Sequence, residues 1–164
     1  ASAIACVAAG VLPWTAAPWA AARSACQARG AGYRLCTATE LGQACEGAGA
    51  NAYPYGAVYE GNRCNGYDYD GIAGGGDDDV LLPTGSLSDC KTADEVFDLS
   101  GNAAEWTSSQ TGQTNTDPAR DIYQVAGGSY LSPAEGLACE IELAPRADEN
   151  AVLGNIGFRC CADP

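Results

Sequence analysis

The chain contains no histidine, and this absence excludes more chemistry than any other feature of its composition. Without an imidazole, neither a Ser/His/Asp triad nor a Cys/His nucleophile pair can be assembled. Lys91 is the only lysine, and 8 basic residues face 21 acidic ones. Such a surface repels a phosphate backbone, which removes nucleic acid from the set of expected partners. No apolar run reaches membrane-spanning length, and no charged segment leads an apolar stretch at the start of the chain, so membrane insertion is not expected. The cysteines form no CxxC pair, so zinc would have to be held by thiolates at irregular spacing. The glycines at 74–76 have no lysine and helix after them, which argues against a phosphate loop. No Asn-x-Ser/Thr sequon is present, and no spacing among the acids singles out a carboxylate pair for glycoside hydrolysis.

Nine cysteines are present, scattered through an acidic, glycine-rich chain of 164 residues. That length gives one domain with a core of its own, so the cysteines are read as disulfides formed in an oxidising compartment. The expected location is secreted or cell-surface. An odd count leaves one thiol unpaired or bonded to another chain. If the protein is exported, Ala1 is expected to follow a removed signal or another domain.

Residues 1–14 are small and apolar, with a short strand expected at Ile4–Val7. Pro18 suits the first turn of a helix that continues through Trp19–Cys26 and stops by Gly30. Thr37-Ala-Thr-Glu40 is a capping box, so a second helix is expected from Ala38 to about Glu46, ended by Gly47–Gly49. Beyond it the helical periodicity disappears. Tyr53-Pro-Tyr-Gly56 reads as a turn and Gly74–Asp79 as a polar loop. Short strands are expected at Glu95–Leu99, Ala104–Ser108, Tyr123–Ala126 and Gly157–Cys161, with Thr107–Thr116 as an exposed low-complexity loop. The sum is an α+β domain with much irregular structure. Trp14, Trp19 and Trp106 are expected as core anchors.

Several strings occur in a telling order: Trp19 to Cys26, Arg34-Leu-Cys-Thr-Ala-Thr-Glu40, Tyr53-Pro-Tyr-Gly56, Asp98-Leu-Ser-Gly-Asn-Ala-Ala-Glu-Trp106, Gly127-Gly-Ser-Tyr130 and Gly157-Phe-Arg-Cys160. Together they resemble the formylglycine-generating enzyme (sulfatase-modifying factor) family, whose fold is a variant of the C-type lectin-like fold. The resemblance covers roughly residues 13–163, so 1–12 are taken as an N-terminal extension or strand and 13–164 as the domain. It implies disulfides Cys26–Cys160 and Cys45–Cys139. The remaining pairs are then expected as Cys36–Cys161, because Cys36 stands where the family has proline, and Cys64–Cys90. Cys6 is left unpaired or intermolecular.

In the formylglycine-generating branch two thiols after the Gly-Gly-Ser segment bind copper, for which soft thiolates are suited. Those positions fall here on Ser132 and Leu137, while Cys139 takes the disulfide position. Related iron-using branches need histidine. Neither copper nor iron is therefore expected, and the resemblance implies a family member without the family's catalysis. Calcium wants six to eight oxygens, and the resemblance implies two structural sites. One comprises Asn102 and Glu105. The other comprises Asn65, the Gly66 carbonyl and one or more of Asp77, Asp78 and Asp79, with Asp68 and Asp70 nearby in sequence.

In C-type lectin-like folds ligands are gripped by the late, irregular part of the chain. Here that segment, 132–150, offers Ser132, Glu135, Glu140, Glu142, Arg146, Asp148 and Asn150. The reading that follows is a non-catalytic extracellular module, stabilised by calcium, that binds a glycan or a protein. A second reading is a self-assembling subunit of a surface appendage or filament, using residues 1–12 and Cys6 to reach a neighbour. The third, a divergent copper oxygenase, conflicts with the replaced thiols.

Overall fold

A computed structural model describes residues 4–6, 10–71, 79–140 and 145–162, with residues 4–6 described as backbone. Asp77, Asp78, Glu142, the side chain of Cys6 and all but Asp79 of the expected polar loop Gly74–Asp79 lie outside the described residues. Strand β1 is Ile4–Cys6, followed by helix α1 at Trp19–Gln27, β2 at Tyr33–Leu35 and helix α2 at Ala38–Glu46. A 3-10 turn at Gly47–Gly49 closes α2. Then come β3 at Ala104–Gln113, β4 at Asp121–Ala126, a 3-10 turn at Ala134–Leu137, β5 at Arg146–Asp148, β6 at Ile156–Phe158 and β7 at Cys160–Ala162.

The start of α2 follows from its sequence. Thr37 Oγ1 accepts from the Glu40 amide at 3.1 Å and Glu40 returns to the Thr37 amide at 2.7 Å, satisfying two donors the helix cannot. Arg34 clamps the same carboxylate with both guanidinium nitrogens, at 2.8 and 2.7 Å. These contacts, led by Arg34, hold the Glu40 carboxyl down to about 2.

Two small sheets share the work. One is antiparallel with order β1-β7-β2; the other has order β5-β4-β3-β6, in which β6 runs parallel to β3. Where one strand was expected at Gly157–Cys161, the chain makes two, β6 in one sheet and β7 in the other, and Arg159 lies between them. Glu95–Leu99 is not a strand but an isolated bridge between Lys91 and Phe97, with Glu95 and Asp98 at positive φ. The expected loop at Thr107–Thr116 is largely strand, because β3 runs on to Gln113 against β4. Its outer residues are polar and exposed, so no apolar alternation marked them; Gln110 and Gln113 instead donate to Asp121 at 2.7 and 2.9 Å.

The core between α1 and the larger sheet contains Ala22, Leu35, Trp106, Val125 and Ile156, with Trp19 stacked on Tyr123 at 4.0 Å. Trp106 is buried and its Nε1 donates to the Ala17 carbonyl at 2.9 Å. Trp14 is the exception among the three tryptophans, being 60 % exposed. Disulfides join Cys26 to Cys160 and Cys45 to Cys139, the pairs the resemblance implies, and Cys36 to Cys161 and Cys64 to Cys90, the remaining pairs expected. Two of these tie α1 and the residue after β2 to β7, the last strand, and a third ties α2 to Cys139. On the loop-entropy account each stabilises by roughly 2–5 kcal/mol.

Candidate functional site

The two motif segments that flank β3 and follow β4 are held together by glycine. A Cβ on Gly101 would stand 2.3 Å from the Asn65 carbonyl, and φ there is +78°. A Cβ on Gly128 would stand 2.3 Å from the Gly136 carbonyl, with φ at +66°. Only glycine tolerates both the approach and the dihedral. These contacts, with the Gly101 amide donating to the Gly127 carbonyl at 2.8 Å, bring residues 65–66, 98–106 and 127–139 together.

At the centre of these segments is an ion pair. The parallel register sets Glu105 beside Gly157, and Arg159, two residues on, points to the same side. Arg159 Nε reaches both Glu105 oxygens at 2.8 and 2.7 Å, and Nη2 reaches Oε1 at 2.6 Å. Nη2 also donates to the Phe97 and Asp98 carbonyls, both at 3.1 Å. Burial pushes the Glu105 carboxyl up, Arg159 pulls it down, and neighbouring Asp98 adds to the upward push. Asp98 is itself raised, mainly by burial, although the Gly85 amide donates to it at 2.8 Å.

This arrangement differs from the expected metal site at Asn102 and Glu105. Both Glu105 oxygens belong to the guanidinium, so a cation there would have to displace a bidentate partner. Asn102 instead meets Asn65, whose Nδ2 donates to Asn102 Oδ1 at 3.1 Å; the Leu82 amide donates to the same oxygen at 2.9 Å. The residues separate, one to an ion pair and the other to an amide cluster. Glu105 is buried with a partner 54 residues away, which no local spacing in the sequence reveals.

Asn65 fits calcium better. It is 2 % exposed, its Nδ2 also donates to the Val80 carbonyl at 2.9 Å, and its Oδ1 has no partner among the described residues. A buried acceptor left open is unusual and suits a hard cation. Asp79 immediately precedes Val80, so a carboxylate lies on the segment that passes Asn65. The Gly66 carbonyl accepts from the Tyr69 amide at 3.0 Å and retains a second lone pair. Among the described residues no cluster of three His, Cys, Asp or Glu side chains is present, so amide and carbonyl oxygens would have to supply most of such a site.

Ser132 and Leu137, the positions the resemblance implies for the catalytic branch's thiols, have structural duties. Ser132 Oγ accepts from the Ser129 amide at 2.9 Å, and the Ser132 carbonyl accepts from Tyr67 at 3.0 Å. Leu137 is 1 % exposed, its side chain against Gly66 and Gly128 and its carbonyl bonded by Ser100 Oγ at 2.6 Å. Cys139 is in its disulfide. The hollow lined by Cys45, Glu105, Glu135 and Cys139 holds only about 10 Å³, room for about one water.

The expected recognition residues fall on separate elements. Ser132 and Glu135 lie at the 3-10 turn Ala134–Leu137, and exposed Glu140 follows it. Arg146 and Asp148 form β5, the edge strand, with Asn150 in the turn beyond. Asp148 pairs with Arg120 at 3.4 Å and accepts from the Asn150 amide at 3.1 Å. Sequence reasoning did not anticipate a cavity of about 310 Å³ beside the ion pair, whose lining includes Val11–Trp14, Asp98 and Arg159.

A two-sheet, two-helix fold with a disulfide-tied C-terminus and an Asp98–Trp106 core element defines the class. The chain belongs to the sulfatase-modifying factor enzyme 1-like domain family, which matches residues 5–164. In fold it is similar to PvdO from Pseudomonas aeruginosa, at 16 % identity and TM-score 0.71 over 93 % of this chain and 62 % of that one. It is also similar to CarF, at 20 % identity and TM-score 0.62, over 80 % and 47 % of the two chains. Treponema denticola variable protein 1 gives 16 % identity and 0.62, over 80 % and 48 %. The chain thus spans about half to three fifths of the length of these structures. No curated protein matches it.

Proposed function

We propose that the chain is a non-catalytic extracellular binding module on a sulfatase-modifying-factor scaffold, recognising a glycan or a protein. The observation that carries this reading is the use made of Ser132 and Leu137. One caps a turn and the other fills the core, and neither supplies a ligand for copper. Four disulfides fit an oxidising compartment, which supports a secreted or cell-surface location. Calcium, bound at Asn65 and Asp79 with the Gly66 carbonyl, stabilises the loop 65–82 in this reading.

Two measurements test it. Thermal unfolding in millimolar calcium should lie above that in EDTA, by about 2–3 kcal/mol of stability when calcium is near a hundredfold over its Kd. Asn65→Ala should abolish the difference; an equal response in that variant removes the site. Titration with Cu(I) against a chromophoric chelator should show no competing site, and a tight one would contradict the reading.

Self-assembly is the second reading, favoured by β1. This three-residue strand lies at the edge of its sheet, paired to β7 of its own chain at Ile4–Ala162 and Cys6–Cys160. An equivalent strand from a neighbour would exchange with it at little cost. Size-exclusion with and without reductant decides: a monomer in both removes this reading.

A further inference from the structure

We infer that the 310 Å³ cavity beneath residues 11–14 is a binding pocket for one neutral sugar residue, with Trp14 as the stacking face and Asp98 as the polar anchor. This rests on the binding-module reading and gives it a place and a ligand class. The volume is at the lower end of small-ligand pockets, about 300–1,000 Å³, enough for a single ring with the rest of a glycan outside.

The pocket is built rather than incidental. Its outer wall is strapped at both ends: Gly10 donates to the Thr84 carbonyl and Thr84 to the Val11 carbonyl, each at 2.8 Å, while Ala16 donates to Leu153 at 3.1 Å. Between those straps Leu12 and Trp14 are each 60 % exposed. Trp14 meets Phe158 edge-on at 5.4 Å, which fixes the indole without burying it. Large aromatics normally bury most of their area, so a fixed and open tryptophan beside a cavity is a contact surface.

The floor supplies the polar half. Asp98 borders the space, one carboxylate oxygen held by the Gly85 amide, and can accept from a ligand hydroxyl. Arg29 and Arg159 on the lining balance Asp98 and Glu105, so neither an anion nor a cation is favoured. A neutral ring with hydroxyls that both donate and accept, and an apolar C–H face for the indole, suits both halves.

The test is a two-dimensional NMR titration of the oxidised protein with methyl glycosides of glucose, galactose and mannose and with N-acetylglucosamine. Sialic acid and glucosamine serve as charged controls. The three indole N–H signals report separately. At least one neutral sugar should shift the Trp14 signal saturably, with a Kd on the order of 1–10 mM as for a weak single-ring ligand. Trp14→Ala, at an exposed position, should leave the remaining spectrum intact and weaken binding about tenfold or more; Trp14→Phe should retain part of it. If no neutral sugar moves the Trp14 signal, or if Trp14→Ala binds equally well, the pocket assignment is overturned. Sugar-induced shifts confined to residues 132–150 would overturn the pocket while leaving the module reading standing. A tight Cu(I) site would remove the module reading whatever the sugar result.

Discussion

The segments Asp98–Trp106 and Gly127–Leu137 lie side by side, yet they keep opposite kinds of residue. The first retains its polar pins: Glu105 holds Arg159, and Asn102 holds Asn65. In the second, Leu137 is buried and Ser132 caps a turn. Polar groups position the sheets in the first segment, while apolar filling and a turn cap occupy the second. On the proposed reading, scaffold and chemistry are separable even between neighbouring segments.

Substitutions sharpen that contrast. The largest effect is expected from Glu105→Gln, which leaves Arg159 charged and buried without its partner; urea unfolding should show a loss of about 3–5 kcal/mol. A loss below about 1 kcal/mol would mean the ion pair is not the pin described here. Leu137→Ala comes next, at about 2–5 kcal/mol, because a fully buried side chain against Gly66 leaves a cavity. If Leu137→Ala were neutral, the leucine would not be filling core and the contrast would fail.

Glu40→Gln should cost less, about 1 kcal/mol at neutral pH, through the capping box. Its sign with pH can be worked out. The folded pKa is lowered to about 2, from 4.5, so the contribution is present above 4.5 and is lost as pH falls toward 2. Asp98 is raised, so its contribution runs the other way: full below the ordinary carboxylate pKa and lost as pH rises through the raised folded value. Acid unfolding curves of wild type and Glu40→Gln should therefore converge as pH falls to about 2; a constant offset would contradict the assignment. Ser132→Ala is the smallest change, about 0.5–1.5 kcal/mol for one hydrogen bond to the Ser129 amide.

How much of this was legible in the sequence depended on how local the cause was. Helix α2 was readable to its ends because Thr37, Glu40 and Gly47 carry the signals within one short stretch. The disulfides were readable through the resemblance, since the motifs fix where each cysteine stands. β3 beyond Thr107 was not, because its outer residues are polar and its pairing to β4 is cross-strand. Nor was the Glu105–Arg159 pair, which depends on the parallel register of β3 and β6. Trp14 was misjudged for a related reason: tryptophan usually marks a core, and only the path of residues 10–16 across Thr84 and Leu153 shows it facing outward.

The central claim is that the scaffold is present without the family's chemistry, and turnover tests it most directly. The oxidised protein, supplied with Cu(I), oxygen and a cysteine-containing peptide, should leave the peptide thiol unconverted to aldehyde, at the level of a copper-only control, by mass spectrometry. Copper-dependent formation of the aldehyde above that control would contradict it.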